Sequence, residues 1–171
     1  MEQIYTIPVN EAFEKVQEEG FYTCPFCLMY NRLEDKELDL ILGASMMEPD
    51  VRLKTNEAGF CPEHLSLMFE RGKRLPLALM IESHLDSVAK DLDGNMSSLF
   101  IGKTADNAAK RLDKLEHSCY ICDRIEYNFS RMIETAALLW QNDEKFREKA
   151  SKAPYFCLNH YGKYIRAAKE R

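Results

Sequence analysis

CPFC at residues 24–27, CPEH at 61–64, CYIC at 119–122 and CLNH at 157–160 hold all six cysteines and two of the four histidines of the chain. They form two successive sets of CxxC followed by CxxH. The gap inside the first set runs from Leu28 to Phe60 and that inside the second from Asp123 to Phe156, longer by a single position. Cys24 and Cys119 lie 95 positions apart, and His64 and His160 lie 96 apart. This register describes one internal duplication with a single-residue insertion.

The register extends past the motifs. Each CxxC opens a long stretch of helical periodicity, broken at Met47-Glu48-Pro49-Asp50 and at Gln141-Asn142-Asp143-Glu144. Val51 and Phe146 each stand 24 positions after the second Cys of their CxxC. An aromatic, Phe60 or Phe156, precedes the third Cys of each set.

The apolar spacing reads as helix throughout, and no alternating β-branched run competes with it. Helices are expected at about 10–19, 24–46, 50–57, 61–70, 73–92, 105–116, 120–140, 143–151 and 158–169. Asn10 is read as an N-cap and Gly20 as a stop, while Pro25 suits the first turn of its helix. Gly94-Asn95-Met96-Ser97-Ser98 reads as the linker. The expected fold is therefore all-α, with two pseudo-repeated helical hairpins at 1–94 and 95–171 packed as one compact unit. Each hairpin is expected to be closed by its own metal site: Cys24, Cys27, Cys61 and His64 in the first, Cys119, Cys122, Cys157 and His160 in the second.

The donor chemistry narrows the metal. Three thiolates and one imidazole make a normal tetrahedral zinc set, and four protein donors close the coordination shell. Soft sulfur excludes calcium and magnesium. Two zinc ions per chain are expected, with an iron–sulfur cluster as the alternative cofactor. Helix N-termini at the motifs would offset part of the thiolate charge.

Other chemistries fit less well. A thioredoxin-type CxxC sits in a strand–helix–strand context that is missing here. Haem attachment needs His after the second Cys, where Leu28 and Asp123 stand. Hydrolysis needs an open metal position. Glu63 beside His64 has Asn159 as its counterpart beside His160, so the sets share no carboxylate there. His117, two residues before Cys119, reads as an exposed helix-end or loop histidine, or alternatively as a group supporting the ligands or a further ligand, and His84 reads as a surface or packing histidine. Met46, Met47, Met68 and Met80 read as core filler, and Trp140 as core. Arg71, Lys73 and Arg74 read as a solvated helix start.

The 171 residues carry a net charge of −5, which argues against a general nucleic-acid binder. The basic tail Lys163, Arg166, Lys169 and Arg171 with Tyr161 and Tyr164 is the best counter-candidate, and as a helix C-terminus it also suits the macrodipole. Residues 1–95 carry 9 basic and 18 acidic side chains, net −9, and residues 96–171 carry 14 and 10, net +4. Solvated helix faces that drifted after duplication account for such a split, and the sharper alternative is that the halves dock with complementary fields. No apolar run approaches the ~20 residues of a membrane helix, and MEQIYTIPVNEAFEK lacks the pattern of a secretory signal. A cytoplasmic protein without membrane contact is expected. It would act on an unidentified protein partner rather than as an enzyme, or alternatively as a zinc/thiol redox sensor.

The run EPDVRLKTNEAGFCPEHL after CPFC, the run LWQNDEKFREKASKAPYFCLNHY after CYIC, and the opening TIPVNEAF resemble an uncharacterised bacterial family of twin CxxC…FCxxH proteins, catalogued as a domain of unknown function. The resemblance covers nearly the whole chain. It implies the same eight ligands and no particular activity. The second set departs from the GFC pattern, with Tyr155 where the first has Gly59.

Overall fold

The computed structural model describes residues 5–18, 22–96 and 101–169, and the side chains of 5–18, 22–92 and 106–169. Nine α-helices occur among the described residues: α1 (Thr6–Lys15), α2 (Pro25–Ile41), α3 (Pro49–Ala58), α4 (Pro62–Glu70), α5 (Arg74–Met96), α6 (Ile101–Glu116), α7 (Tyr120–Asn142), α8 (Glu144–Ser151) and α9 (Leu158–Lys169). A 3-10 turn, Ala44–Met47, links α2 to α3. There is no strand among the described residues, so the all-α expectation holds.

Local chemistry sets most boundaries. Pro25, Pro49 and Pro62 each open a helix, where a missing N–H is harmless. Gly59 ends α3 at φ 64°, a backbone region that suits glycine. Asp143 caps α8 by accepting from the N–H groups of Lys145 and Phe146. Two expectations shift. Asn10 is not an N-cap, because α1 starts at Thr6 and the Asn10 side chain donates to the Thr6 carbonyl at 2.9 Å. The helix from CPFC stops at Ile41 instead of running to about 46. Of the expected linker, residues 94–96 belong to α5, and Ser97 and Ser98 lie outside the described residues, as does Gly20.

The contacts divide the chain into two units, and not at residue 94. Unit 1 is Met1–Asp35 with Ile125–Arg171; unit 2 is Lys36–Arg124. The cuts fall inside α2 and α7, so each long helix contributes to both units. Unit 1 packs Val9, Ala12 and Phe13 of α1, Phe26 and Met29 of α2, and Phe146 of α8. From α7 it adds Ile125, Phe129, Ile133 and Ala136, one face at helical spacing. Unit 2 buries Leu38, Ile41, Leu42, Met68, Leu77, Met80 and Ile121. Met68 and Met80 are core, as expected, but Met47 is 73% exposed and Trp140 is 40% exposed. Trp140 lies beyond the α7 stripe, whose buried run ends at Ala137.

Candidate metal centres

Each of the four motifs stands at a helix start. Cys24, Cys61, Cys119 and Cys157 immediately precede α2, α4, α7 and α9. The last motif residue then lies one turn inside its helix, so two donors share one end. Cys61 is the N-cap of α4, and its sulfur accepts from the His64 N–H at 3.5 Å.

The eight expected donors converge into two groups of four, with the partners exchanged. Cys24 and Cys27 meet Cys157 and His160, all in unit 1; Cys61 and His64 meet Cys119 and Cys122, all in unit 2. Each CxxC is therefore completed by the CxxH of the other half of the sequence, and neither half encloses its own site. Helix length supplies the reason. At ~1.5 Å per residue, α2 and α7 carry the chain about 25 and 35 Å from their CxxC motifs. The helices that follow, α3 and α8, have only 10 and 8 residues. They rise only about 15 and 12 Å. α2 starts in unit 1 and ends in unit 2, and α7 starts in unit 2 and ends in unit 1, so each carries the chain away from its own CxxC to the other group.

Within each group the donor atoms all lie within 4.8 Å of one another. In unit 1 the Cys27 sulfur is 3.6 Å from that of Cys157 and 3.3 Å from His160 Nδ1. In unit 2, His64 Nδ1 is 3.2 Å from the Cys61 sulfur and 3.3 Å from those of both Cys119 and Cys122. Cys61 and Cys122 sulfurs are 3.9 Å apart. All six cysteines are free. These separations far exceed the ~2.05 Å of a disulfide. A tetrahedral ion with bonds of about 2.3 Å to sulfur and about 2.0 Å to nitrogen puts its donors about 3.6–3.8 Å apart. The sulfur–sulfur separations of 3.6 and 3.9 Å lie close to that figure, and the nitrogen–sulfur ones of 3.2–3.3 Å are a few tenths of an ångström shorter. One ring nitrogen has one lone pair or one proton, so it cannot hydrogen-bond three sulfurs at once. The convergence is that of a site able to hold one central cation.

The electrostatics describe thiols crowded together. Burial, the Cys157 sulfur and the neighbouring Cys24 push the Cys27 thiol up to about 12. Burial and the adjacent Cys119 push Cys122 up as well, and burial raises Cys119. Cys157 goes the other way. Burial opposes its ionisation, but the His160 and Asn159 N–H groups at the start of α9 and the thiols of Cys27 and Cys24 outweigh it. Burial and the nearby Lys163 ammonium lower His160, which favours the neutral imidazole, the form that binds metal.

The groups around the donors differ between units. His160 lies against Tyr30 and Phe129, at ring distances of 6.1 and 4.9 Å. In unit 2 the segment before Cys61 is tied by hydrogen bonds. The Tyr120 N–H donates to the Gly59 carbonyl at 3.0 Å, and the Ser118 hydroxyl donates to the Ala58 carbonyl at 2.7 Å. His84 belongs to this support. Its Nδ1 donates to the Asn56 carbonyl at 3.0 Å, and its ring faces Gly59. Helical spacing alone gave no sign of that role. His117 is exposed, bonds the Asp113 carbonyl at 2.8 Å and joins neither group. Glu63 is exposed, outside both groups. Of the basic tail, Lys163 pairs with Glu126, Arg166 and Lys169 are exposed, and Arg171 lies outside the described residues. Arg71 pairs with Asp39, and Arg74 lies over the Phe69 ring.

No described helix is long and apolar enough to cross a membrane. Neither the curated proteins nor the solved structures contain a match to this chain. A family model matches residues 1–171, and the chain belongs to that family, described as a family of unknown function (DUF6062).

Proposed function

We propose that the protein is a non-enzymatic, metal-stabilised helical module acting through protein contacts, with one zinc ion at each Cys3His group. The observation that carries this reading is His64 Nδ1 at 3.2–3.3 Å from three sulfurs. Four protein donors around one ion leave no position for substrate, which favours a structural site over a catalytic one. A spread of at most 4.8 Å suits a single ion. A cluster of two or four irons holds its ligand sulfurs farther apart, so the spacing favours zinc over an iron–sulfur cofactor. Because each group draws on both halves of the chain, metal binding contributes directly to folding free energy. The cytoplasm is part of the same reading, since thiolate ligands persist where thiols stay reduced.

The test is metal content and visible spectrum of the chain purified without oxygen, followed by chelation. Two zinc ions, no colour and loss of the helical circular-dichroism signal on metal removal are expected. Iron with acid-labile sulfide would overturn the reading, as would full helicity in the metal-free chain. One observation favours a second role for the unit 2 group: Cys122 is exposed. A peroxide would oxidise two thiolates to a disulfide, itself reduced to water, and zinc would leave. Zinc release at low peroxide, reversed by a thiol reductant, identifies a sensor; release only under harsh oxidation excludes it.

A further inference from the structure

The exchange of ligands has a topological consequence. Along the chain, the donors of the unit 2 group lie wholly between the two donor pairs of the unit 1 group. The sites are nested. The inner one closes the loop from Leu65 to Ser118, between His64 and Cys119; the outer one closes the loop from Leu28 to Phe156, between Cys27 and Cys157. Two sites in separate hairpins, as the sequence order suggests, would close separate loops and leave each other's chain entropy untouched.

We infer that the two metal sites are thermodynamically coupled through this nesting, so that each metal ion raises the affinity of the chain for the other. The inference rests on the metal reading above and specifies how its two sites regulate one another. With the inner site filled, the outer closure has to order only the flanking segments 28–60 and 123–156 instead of the whole outer loop. The flanks are about half of that loop, and closure cost scales with the logarithm of loop length, so the gain is about threefold in affinity from chain entropy alone. Coupling is reciprocal, so filling the outer site favours the inner one by the same factor.

Both groups have the same donor set, which makes cobalt(II) a suitable probe of each. Three forms of the full chain are titrated without oxygen against a competing chelator: the native chain, Cys119→Ser/Cys122→Ser lacking the inner site, and Cys24→Ser/Cys27→Ser lacking the outer one. Each remaining site should bind cobalt about threefold or more weakly than in the native chain. Unchanged affinities in both variants overturn the coupling while leaving the metal reading intact. Absence of thiolate–cobalt bands in the native chain overturns both.

A fourth form keeps all eight donors and guards against simple misfolding of the variants. About 30 Gly/Ser residues inserted between Ser97 and Ser98 lengthen the inner loop and should weaken inner binding about twofold. The outer site, titrated with the inner one filled, should be unaffected. If each CxxC paired with the CxxH of its own half, the insertion would lie outside both loops and change neither site. That outcome would also overturn the inference.

Discussion

His160 in unit 1 is seated among rings, whereas the segment that delivers His64 in unit 2 is seated by hydrogen bonds. Phe156, just before Cys157, lies 6.1 Å from Phe13, 5.9 Å from Phe26 and 5.6 Å from Tyr161. Around its counterpart Phe60 the ties are polar: Ser118, Tyr120 and Arg111 donate to carbonyls at the end of α3. The reason lies in what each short helix offers. α8 buries Phe146 and Ala150, while α3 buries only Thr55. A helix with almost no apolar face has to be positioned through its terminal carbonyls, which are the groups left over at any helix end. Identical donor sets are thus held mainly by ring packing in one unit, beside the hydrogen bond from Tyr155 to the Tyr22 carbonyl, and mainly by hydrogen bonds in the other.

The largest expected effect tests the ring-packed side. Phe13 is fully buried and meets Phe26, Phe146 and Phe156, at 4.9 Å in the case of Phe146. Phe13→Ala should destabilise the metal-loaded chain by about 3–5 kcal/mol in urea denaturation, through lost burial and the cavity left behind. It should weaken cobalt binding at Cys24, Cys27, Cys157 and His160 more than at the other group. Equal weakening at both would break the distinction between the units.

The next effect tests the hydrogen-bonded side. Gly59 has φ 64°, and a Cβ there would lie 2.9 Å from the Cε1 and Nε2 atoms of His84. Gly59→Ala should cost about 1–3 kcal/mol, from backbone strain and the ring contact together. Its effect should fall on Cys61, His64, Cys119 and Cys122. His84→Ala removes the contact but not the strain, so Gly59→Ala should cost less in a His84→Ala background, which itself lacks the hydrogen bond to Asn56, than in the native chain. An equal cost in both backgrounds would mean that the ring does not press on the turn.

Local structure was largely legible from sequence because its causes are local. Pro25, Pro62 and Gly59 mark helix ends by their own backbone preferences, and the motifs mark where donors cluster. The pairing of CxxC with CxxH was not legible, because any CxxC is chemically complete with any CxxH. What selects the partner is the reach of α2 and α7 and packing such as Phe13 on Phe146, 133 positions away in sequence. Asn10 was misread because a good capping residue also serves inside a helix when its amide finds a carbonyl one turn back.

The charge asymmetry of the two sequence halves carried the pairing in a form that becomes clear once the units are known. Halves of −9 and +4 rearrange into units of −2 and −3: unit 1 has 11 basic and 13 acidic residues, and unit 2 has 12 and 15. Lys149–Glu14 in unit 1, and Arg124–Glu37, Arg111–Asp91 and Lys114–Glu57 in unit 2, all join the halves. In each the cation comes from the second half and the carboxylate from the first. The exchange thus sets opposite charges against each other within each unit.

Glu57 and Lys114 give the smallest and most local test of that arrangement. The pair is 2.6 Å apart and solvent-exposed, so its effect on stability is slight and screened by salt. The hydrogen bond from Lys114 and its charge hold the Glu57 carboxyl below its usual range. A carboxyl lowered in the folded chain stabilises it above the unfolded-state value, about 4.3, and that contribution disappears as pH falls through the folded-state value. Carboxyl NMR should find Glu57 titrating below the ordinary glutamate value of about 4.3 in the native chain and moving up toward it in Lys114→Ala, where only the weaker pull of Arg111 remains. The pair joins α6 of one half to α3 of the other. Identical Glu57 titrations in the two chains would therefore mean that this contact between the halves is not made in solution, leaving the end of α3 tied to the second half by the Arg111, Ser118 and Tyr120 hydrogen bonds.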